Sequence, residues 1–203
     1  MKQIVQFIED NNISEEEVAK AAHMSLRNFR RQIHSEDRTQ TRIVLILADY
    51  NHQSIDSIFF DQMYNQPINL EGLTWNQVQD IMKLIHPELF TDIKRSSKFK
   101  NFEYNLKNDM GDRMRFIREV VFSLSQTQFG KYMEVTRNTA KYWDEGQINV
   151  DKILKILQRT NISMDFMIRD NYPLTLQTQD MSEALYLAVM TNCVLYRLRN
   201  MKQ

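Results

Sequence analysis

Apolar residues recur along the chain at the three- and four-residue spacing of amphipathic helices, broken by short polar runs. In the first sixty residues "IVQFI" predicts one helix. "ISEEEVAKAA" predicts a second, with Ser14 as its N-cap and Glu17 completing a capping box, and "SLRNFRRQI" a third capped by Ser25. "TRIVLILADY" and "SIDSIFF" read as a fourth and fifth, so five short helices form a compact bundle ending near Asp61.

The same order of elements returns between Asp112 and Asp170, in "RMRFIREVVFS", "SQTQFGKYM", "TRNTAKYWDEG", "NVDKILKILQRT" and "SMDFMI". Placing Ile13 on Leu124 brings Val18 onto Phe129, Ala19 onto Gly130, Met24 onto Val135, Ser25 onto Thr136 and Phe29 onto Ala140. The spacing then slips by a few residues, and "SIDSIF" lies against "SMDFMI". The pattern is that of an internal duplication.

Between the two units, "TWNQVQDIMKLIHP" predicts an amphipathic helix capped by Thr74 and stopped at Pro87, with Trp75, Val78, Ile81, Met82 and Ile85 on one face. Trp75 reads as a core residue. A basic, aromatic connector, "DIKRSSKFKNFEYNLK", follows. The last segment, "DMSEALYLAVMTNCVLYRLRN", is apolar on nearly every side from Ala184 to Leu198, so it either lies between the units or forms a dimer interface. The expected domains are 1–66, an N-terminal helix-turn-helix-like unit; 67–107, a helical and basic linker; 108–172, the second unit; and 173–203, a C-terminal helix for packing or dimerisation.

Composition narrows the class. With 4 Gly and 3 Pro in 203 residues the chain has few turn formers for a many-stranded sheet, whereas 12 Met and abundant Glu, Gln, Lys and Leu favour helix. The expected fold is all-α. Lys+Arg and Asp+Glu balance at 26 each, so any nucleic-acid contact must come from local clusters. The single Cys193 excludes an internal disulfide and reads as a small buried hydrophobe in a reducing compartment. The N-terminus meets acids too early for a secretory signal, and "IVLILA" is too short to cross a bilayer, so a soluble, cytoplasmic protein is expected.

The chemistry-bearing stretch is "LSQTQFGKYMEVTRNTAKYWDEG", residues 124–146. Its Leu124-Ser125-Gln126, Phe129-Gly130, Val135-Thr136 and Trp143-Asp144-x-Gly146 resemble the signature of the lambda-repressor and Cro family of helix-turn-helix proteins, also called the xenobiotic-response-element family. That resemblance implies two five-helix bundles joined by a helical linker, with the helix after Thr136 entering a major groove. Gly130 is small where two helices cross, and Val135 and Trp143 point to the core. Arg137, Asn138, Lys141 and Tyr142 then lie on the outer face, where Arg pairs with guanine and Asn with adenine. By the same resemblance Gln126 touches the DNA backbone, with Gln128 a second candidate. Asp144 serves the fold. Glu145 opposes the reading, because a carboxylate there repels phosphate.

The first unit resembles the family more weakly. It has "QIHS" where the second has Trp143 to Gly146, and Glu15, Glu16 and Glu17 stand at the start of its second helix, which suits the helix dipole rather than a phosphate. Its third helix is nevertheless basic, with Arg27, Arg30, Arg31 and His34, then Arg38 and Arg42, and Arg27 and Arg31 match reading positions. In the connector, Lys94, Arg95, Lys98 and Lys100 alternate with Phe99, Phe102 and Tyr104, either along phosphates or as a solvated spacer. His23, His34, His52 and His86 are scattered, and no phosphate loop, nucleophile elbow or Cys-His pair is present, so no catalytic residue, metal or cofactor is expected. The expected function is sequence-specific binding of double-stranded operator DNA by a homodimeric transcriptional regulator, a repressor of phage or mobile-element type. The rival is a protein-binding adaptor or phage-encoded inhibitor that uses the bundles as scaffolds.

Overall fold

In the computed structural model, residues 2–35, 39–59, 67–90 and 104–202 are described. Five helices come first: α1 (Lys2–Asp10), α2 (Glu15–Ala21), α3 (Leu26–Ile33), α4 (Thr41–Tyr50) and α5 (Asp56–Phe59). A short strand β1 (Ile68–Asn69), helix α6 (Trp75–Ile85) and a 3-10 turn (Pro87–Leu89) precede the second set. That set is α7 (Met110–Phe116) running into a π-helical turn (Ile117–Val121), α8 (Gln126–Tyr132), α9 (Arg137–Asp144), α10 (Val150–Thr160) and α11 (Met164–Ile168). Strand β2 (Thr175–Leu176) and the long α12 (Glu183–Asn200) close the chain. The protein is mostly helical, and the only sheet among the described residues pairs β1 with β2 antiparallel, Ile68 against Leu176. No helix among the described residues is long and apolar enough to cross a membrane.

The segments that the sequence pattern pairs carry the same local geometry at the same places. Ser14 and Ser125 cap α2 and α8, and Ser25 and Thr136 cap α3 and α9, each hydroxyl accepting a backbone N–H three residues on. The chain turns through left-handed backbone at Asn12 and Ser123, at His23 and Glu134, and at His52 and Asn161, with φ between 50° and 57° at all six. These are caps and turns, where left-handed backbone is commonest and Asn and His adopt it more readily than most residues.

The two sets meet through a reciprocal clasp. The carboxylate of Asp165, at the start of α11, accepts the backbone N–H of Ile55 at 2.9 Å, while Asp56, at the start of α5, accepts the N–H of Met164 at 2.6 Å. Each helix thus has a backbone N–H at its start capped by a carboxyl of the other. Arg169 ties the clasp down, donating to Asp165 at 2.6 Å and to Asp49 across the junction. Asp56 and Asp165 are both buried, and burial first, then the neighbouring carboxylate, pushes the Asp56 carboxyl up to about 7.

Several expectations need correction. Glu17 does not complete a capping box on α2: its carboxylate takes the Tyr50 hydroxyl instead. The helix expected over 113–123 begins earlier, at Met110, and changes to π geometry at Ile117, where Phe122 N–H reaches back five residues to Ile117 O at 3.1 Å. Trp75 is not a core residue. It is half exposed at 50 %, with its ring edge-on to Phe116 at 4.8 Å, because it sits in the first turn of α6 and only Val78, Ile81 and Met82 reach the interior. Val135 is half-buried rather than central. The last segment is helical only from Glu183, since residues 174–178 run extended and buried beside Asn161 and Ser163, bonding Ser163 N–H to Thr175 O and Gln177 N–H to Asn161 O. Helix α12 packs on α6, and Asn200 joins Gln77 and Gly72 there.

Candidate nucleic-acid interface

Helix α8 starts with a full capping box. Gln128 N–H donates to Ser125 Oγ, and Ser125 N–H donates back to Gln128 Oε1 at 2.9 Å. Phe129 and Gly130 are buried, and a Cβ on Gly130 would stand 2.9 Å from Val135 O. The missing side chain therefore lets the turn fold back tightly enough to set α9 against α8. Ala140 and Trp143 bury the inner face of α9, Trp143 edge-on to Phe129 at 6.3 Å. With that face held, Arg137, Asn138, Lys141 and Tyr142 are left exposed, as the spacing predicts.

A buried ion pair locks the far end of α9. Arg118 donates through Nε to Asp144 Oδ1 at 3.1 Å and through Nη2 to Oδ2 at 2.6 Å, and both side chains are only 3 % exposed. Arg118 also donates to Leu124 O at 2.8 Å and to Glu119 at 2.7 Å. Burial disfavours its charge, but the Asp144 and Glu119 carboxylates more than offset that and push the guanidinium above its ordinary pKa. The π turn at 117–121 brings Ile117, Arg118 and Val121 all inward. Helix α7 comes against α9 at Gly111, where a Cβ would lie 2.7 Å from Asp144 O, and Gly146 turns the chain away at φ 77°.

Gln126 is tied to this network. Its Nε2 donates to Asp144 Oδ2 at 2.9 Å, so one side-chain donor is spent inside the protein and the group is held in one orientation. Gln128 spends its carbonyl oxygen on the cap. An open cleft of about 470 Å³ lies where α8 meets α9, lined by Arg118, Glu119, Ser125, Gln126, Thr127 and Arg137. Two expected contact residues, Gln126 and Arg137, thus share one concavity with the start of α8. Lys141 has its ammonium 3.5 Å from Glu145, on the exposed end of the same helix.

The first set presents a different surface. Arg27, Arg30 and Arg31 are all exposed on α3, but Arg30 pairs with Glu15 at 2.6 Å and Arg31 donates to Asn28 at 2.7 Å. Arg42 reaches Ala21 O at 3.4 Å. Of the other basic residues singled out from sequence, Arg38, Lys94, Arg95, Lys98 and Lys100, with Phe99 and Phe102, lie outside the described residues. Tyr104 donates to Glu119 at 2.6 Å, so it belongs to the edge of the Arg118 network.

Sequence reasoning missed Arg118, Glu119, Thr127 and Gly111. Arg118 and Glu119 sit inside an apolar run, "FIREVV", where a period-3.6 reading turns them outward; only the π turn brings Arg118 in. Gly111 stands at the head of its helix and resembles an ordinary start signal. Comparisons with family models, with curated proteins and with solved structures give no match.

Proposed function

We propose that the chain is a sequence-specific, double-stranded-DNA-binding transcriptional regulator, a repressor of phage or mobile-element type, built from two helix-turn-helix bundles of the lambda-repressor and Cro kind. One observation carries the reading: α9 exposes Arg137, Asn138, Lys141 and Tyr142 on one face, beside a cleft holding Gln126 and the start of α8. Arg137 and Asn138 stand at the N-terminal end of α9, where side chains reach base edges when such a helix enters a major groove. Gln126 and the first amides of α8 meet the phosphate beside it.

The first unit is the place for the rival reading. Glu15 neutralises Arg30, and three carboxylates crowd the start of α2, so this surface suits a basic protein better than a phosphate backbone. In this division of labour α9 reads bases and α3 either supports a second groove or takes a protein partner.

The test is selection from random duplexes with the purified chain, followed by titration of the winning sequence at several salt concentrations. The reading expects a defined motif, affinity that falls steeply with salt, and loss of sequence preference for Arg137→Ala and Asn138→Ala. Equal, salt-insensitive binding to every duplex, or none, overturns it.

A further inference from the structure

Among the described residues, helix α12 leaves one side bare. Val189 and Cys193 are buried, and the helix rests on α6. On another flank Ala184, Leu187, Thr191, Val194, Leu198 and Met201 are all exposed, Leu187 at 54 % and Met201 at 74 %. Successive members are separated by three, four, three, four and three residues, the spacing of the seam along which two helices interlock. Single exposed aliphatics are ordinary, but a continuous heptad row of them is a surface shaped for another helix.

We propose that this seam pairs antiparallel with α12 of a second copy of the chain, across a two-fold axis near Thr191 and Val194. Size and charge both favour that partner and direction. Antiparallel pairing sets Leu187 against Leu198, Thr191 against Val194, and the small Ala184 against the long Met201. Reversal brings Glu183, at the start of one helix, to the basic end of the other, where Arg197, Arg199 and Lys202 stand. A parallel pair would place Glu183 on Glu183 and the basic end, Arg197, Arg199 and Lys202, on itself. Arg197 is already held in place, donating to Glu71 O and Asn69 O. Opposed helix dipoles add to the preference for the reversed direction. The surface is self-complementary, as a two-fold interface requires, and it is independent of what α9 binds.

The test uses the whole chain. Light scattering and sedimentation at tens of micromolar should give roughly 49 kDa, twice the 24.3 kDa of one chain. Leu187→Glu with Leu198→Glu should return it to one-chain mass, weakening association at least about a hundredfold. Because both residues are exposed, circular dichroism should show the same helical fold. Direction is read by cross-linking in a Cys193→Ser background: Leu187→Cys with Leu198→Cys should form an interchain disulfide, and Leu187→Cys alone should not. A monomer at these concentrations overturns the proposal, as does a wild-type monomer that instead binds vesicles or another protein. A cross-link from Leu187→Cys alone overturns the antiparallel pairing.

Discussion

The α2–α3 and α8–α9 pairs share their caps and left-handed turns but not their interiors. Where the second pair buries Arg118 and Asp144, the corresponding places in the first hold Ile8 and Ile33, both buried. The match is structural: Ile13 N–H closes onto Ile8 O as Leu124 N–H closes onto Arg118 O, and Ile33 and Asp144 each lie eight residues beyond their cap. The shape therefore does not depend on the ion pair. What the pair adds is a hold on Gln126, whose counterpart in the first set is Glu15, turned outward to Arg30.

The largest effect comes from breaking that pair on one side. Asp144→Ala leaves Arg118 buried without its main partner and should cost about 3–5 kcal/mol of stability, read from the midpoint of denaturant unfolding. Replacing both with the residues of the first set, Arg118→Ile with Asp144→Ile, should recover most of the loss, because a matched apolar pair needs no desolvated charge. A double variant as unstable as the single one would show that the two interiors are not interchangeable.

The clasp between the sets gives the next effect. Asp56 ionises near 7 in the folded protein and near 3.8 when unfolded, so between those values the unfolded chain gives up the proton first. Stability from this group is full below about pH 4 and is lost as pH rises towards 7, on the order of 2 kcal/mol over the window once the shared environment of Asp165 is allowed for. Unfolding curves at about pH 4.5 and about pH 7.5 should show that slope. In Asp56→Asn the slope should flatten while the oxygen that accepts Met164 N–H is kept. An unchanged slope would place the titration elsewhere.

Recognition separates the two pairs next. Arg137→Ala and Asn138→Ala should each cost about 1–3 kcal/mol of discrimination between operator and mismatched duplex. Arg27→Ala and Arg31→Ala should weaken all duplexes alike and lower the salt slope by about 1 each if α3 lies on phosphate. Equal loss of sequence discrimination from both pairs would mean that two grooves are read. No change from the α3 variants would leave that surface to a protein partner.

Helical periodicity, caps and the repeat were legible in the chain because each rests on local spacing: Ser25 and Thr136 announce helices wherever they are placed. The clasp was not legible, since Asp56 and Asp165 look like ordinary N-terminal acids until the two sets are docked. The Arg118 network was hidden for a related reason, because one extra residue in the π turn reverses the face that a regular helix assigns. At the candidate site the exposed face of α9 could be read directly. That Gln126 and Gln128 already make bonds within the protein could not, because those bonds depend on tertiary contact and capping geometry.

The smallest effect tests the acids that oppose the reading. Glu145 lies 3.5 Å from Lys141 in an exposed pair, an interaction worth about 0.5 kcal/mol or less. Glu145→Gln releases Lys141 and removes a negative charge from the end of α9, so operator binding should tighten by roughly two- to threefold at low salt. The gain should vanish near 1 M salt, where the screening length falls to about 3 Å. Glu15→Gln makes the same change in the first pair, freeing Arg30 from its 2.6 Å partner. If α3 also faces phosphate, the two gains should be equal and additive in fluorescence anisotropy titrations, because well-separated sites couple little. A gain from Glu145→Gln alone would confine DNA to α9 and leave Glu15 to hold α3 for another partner.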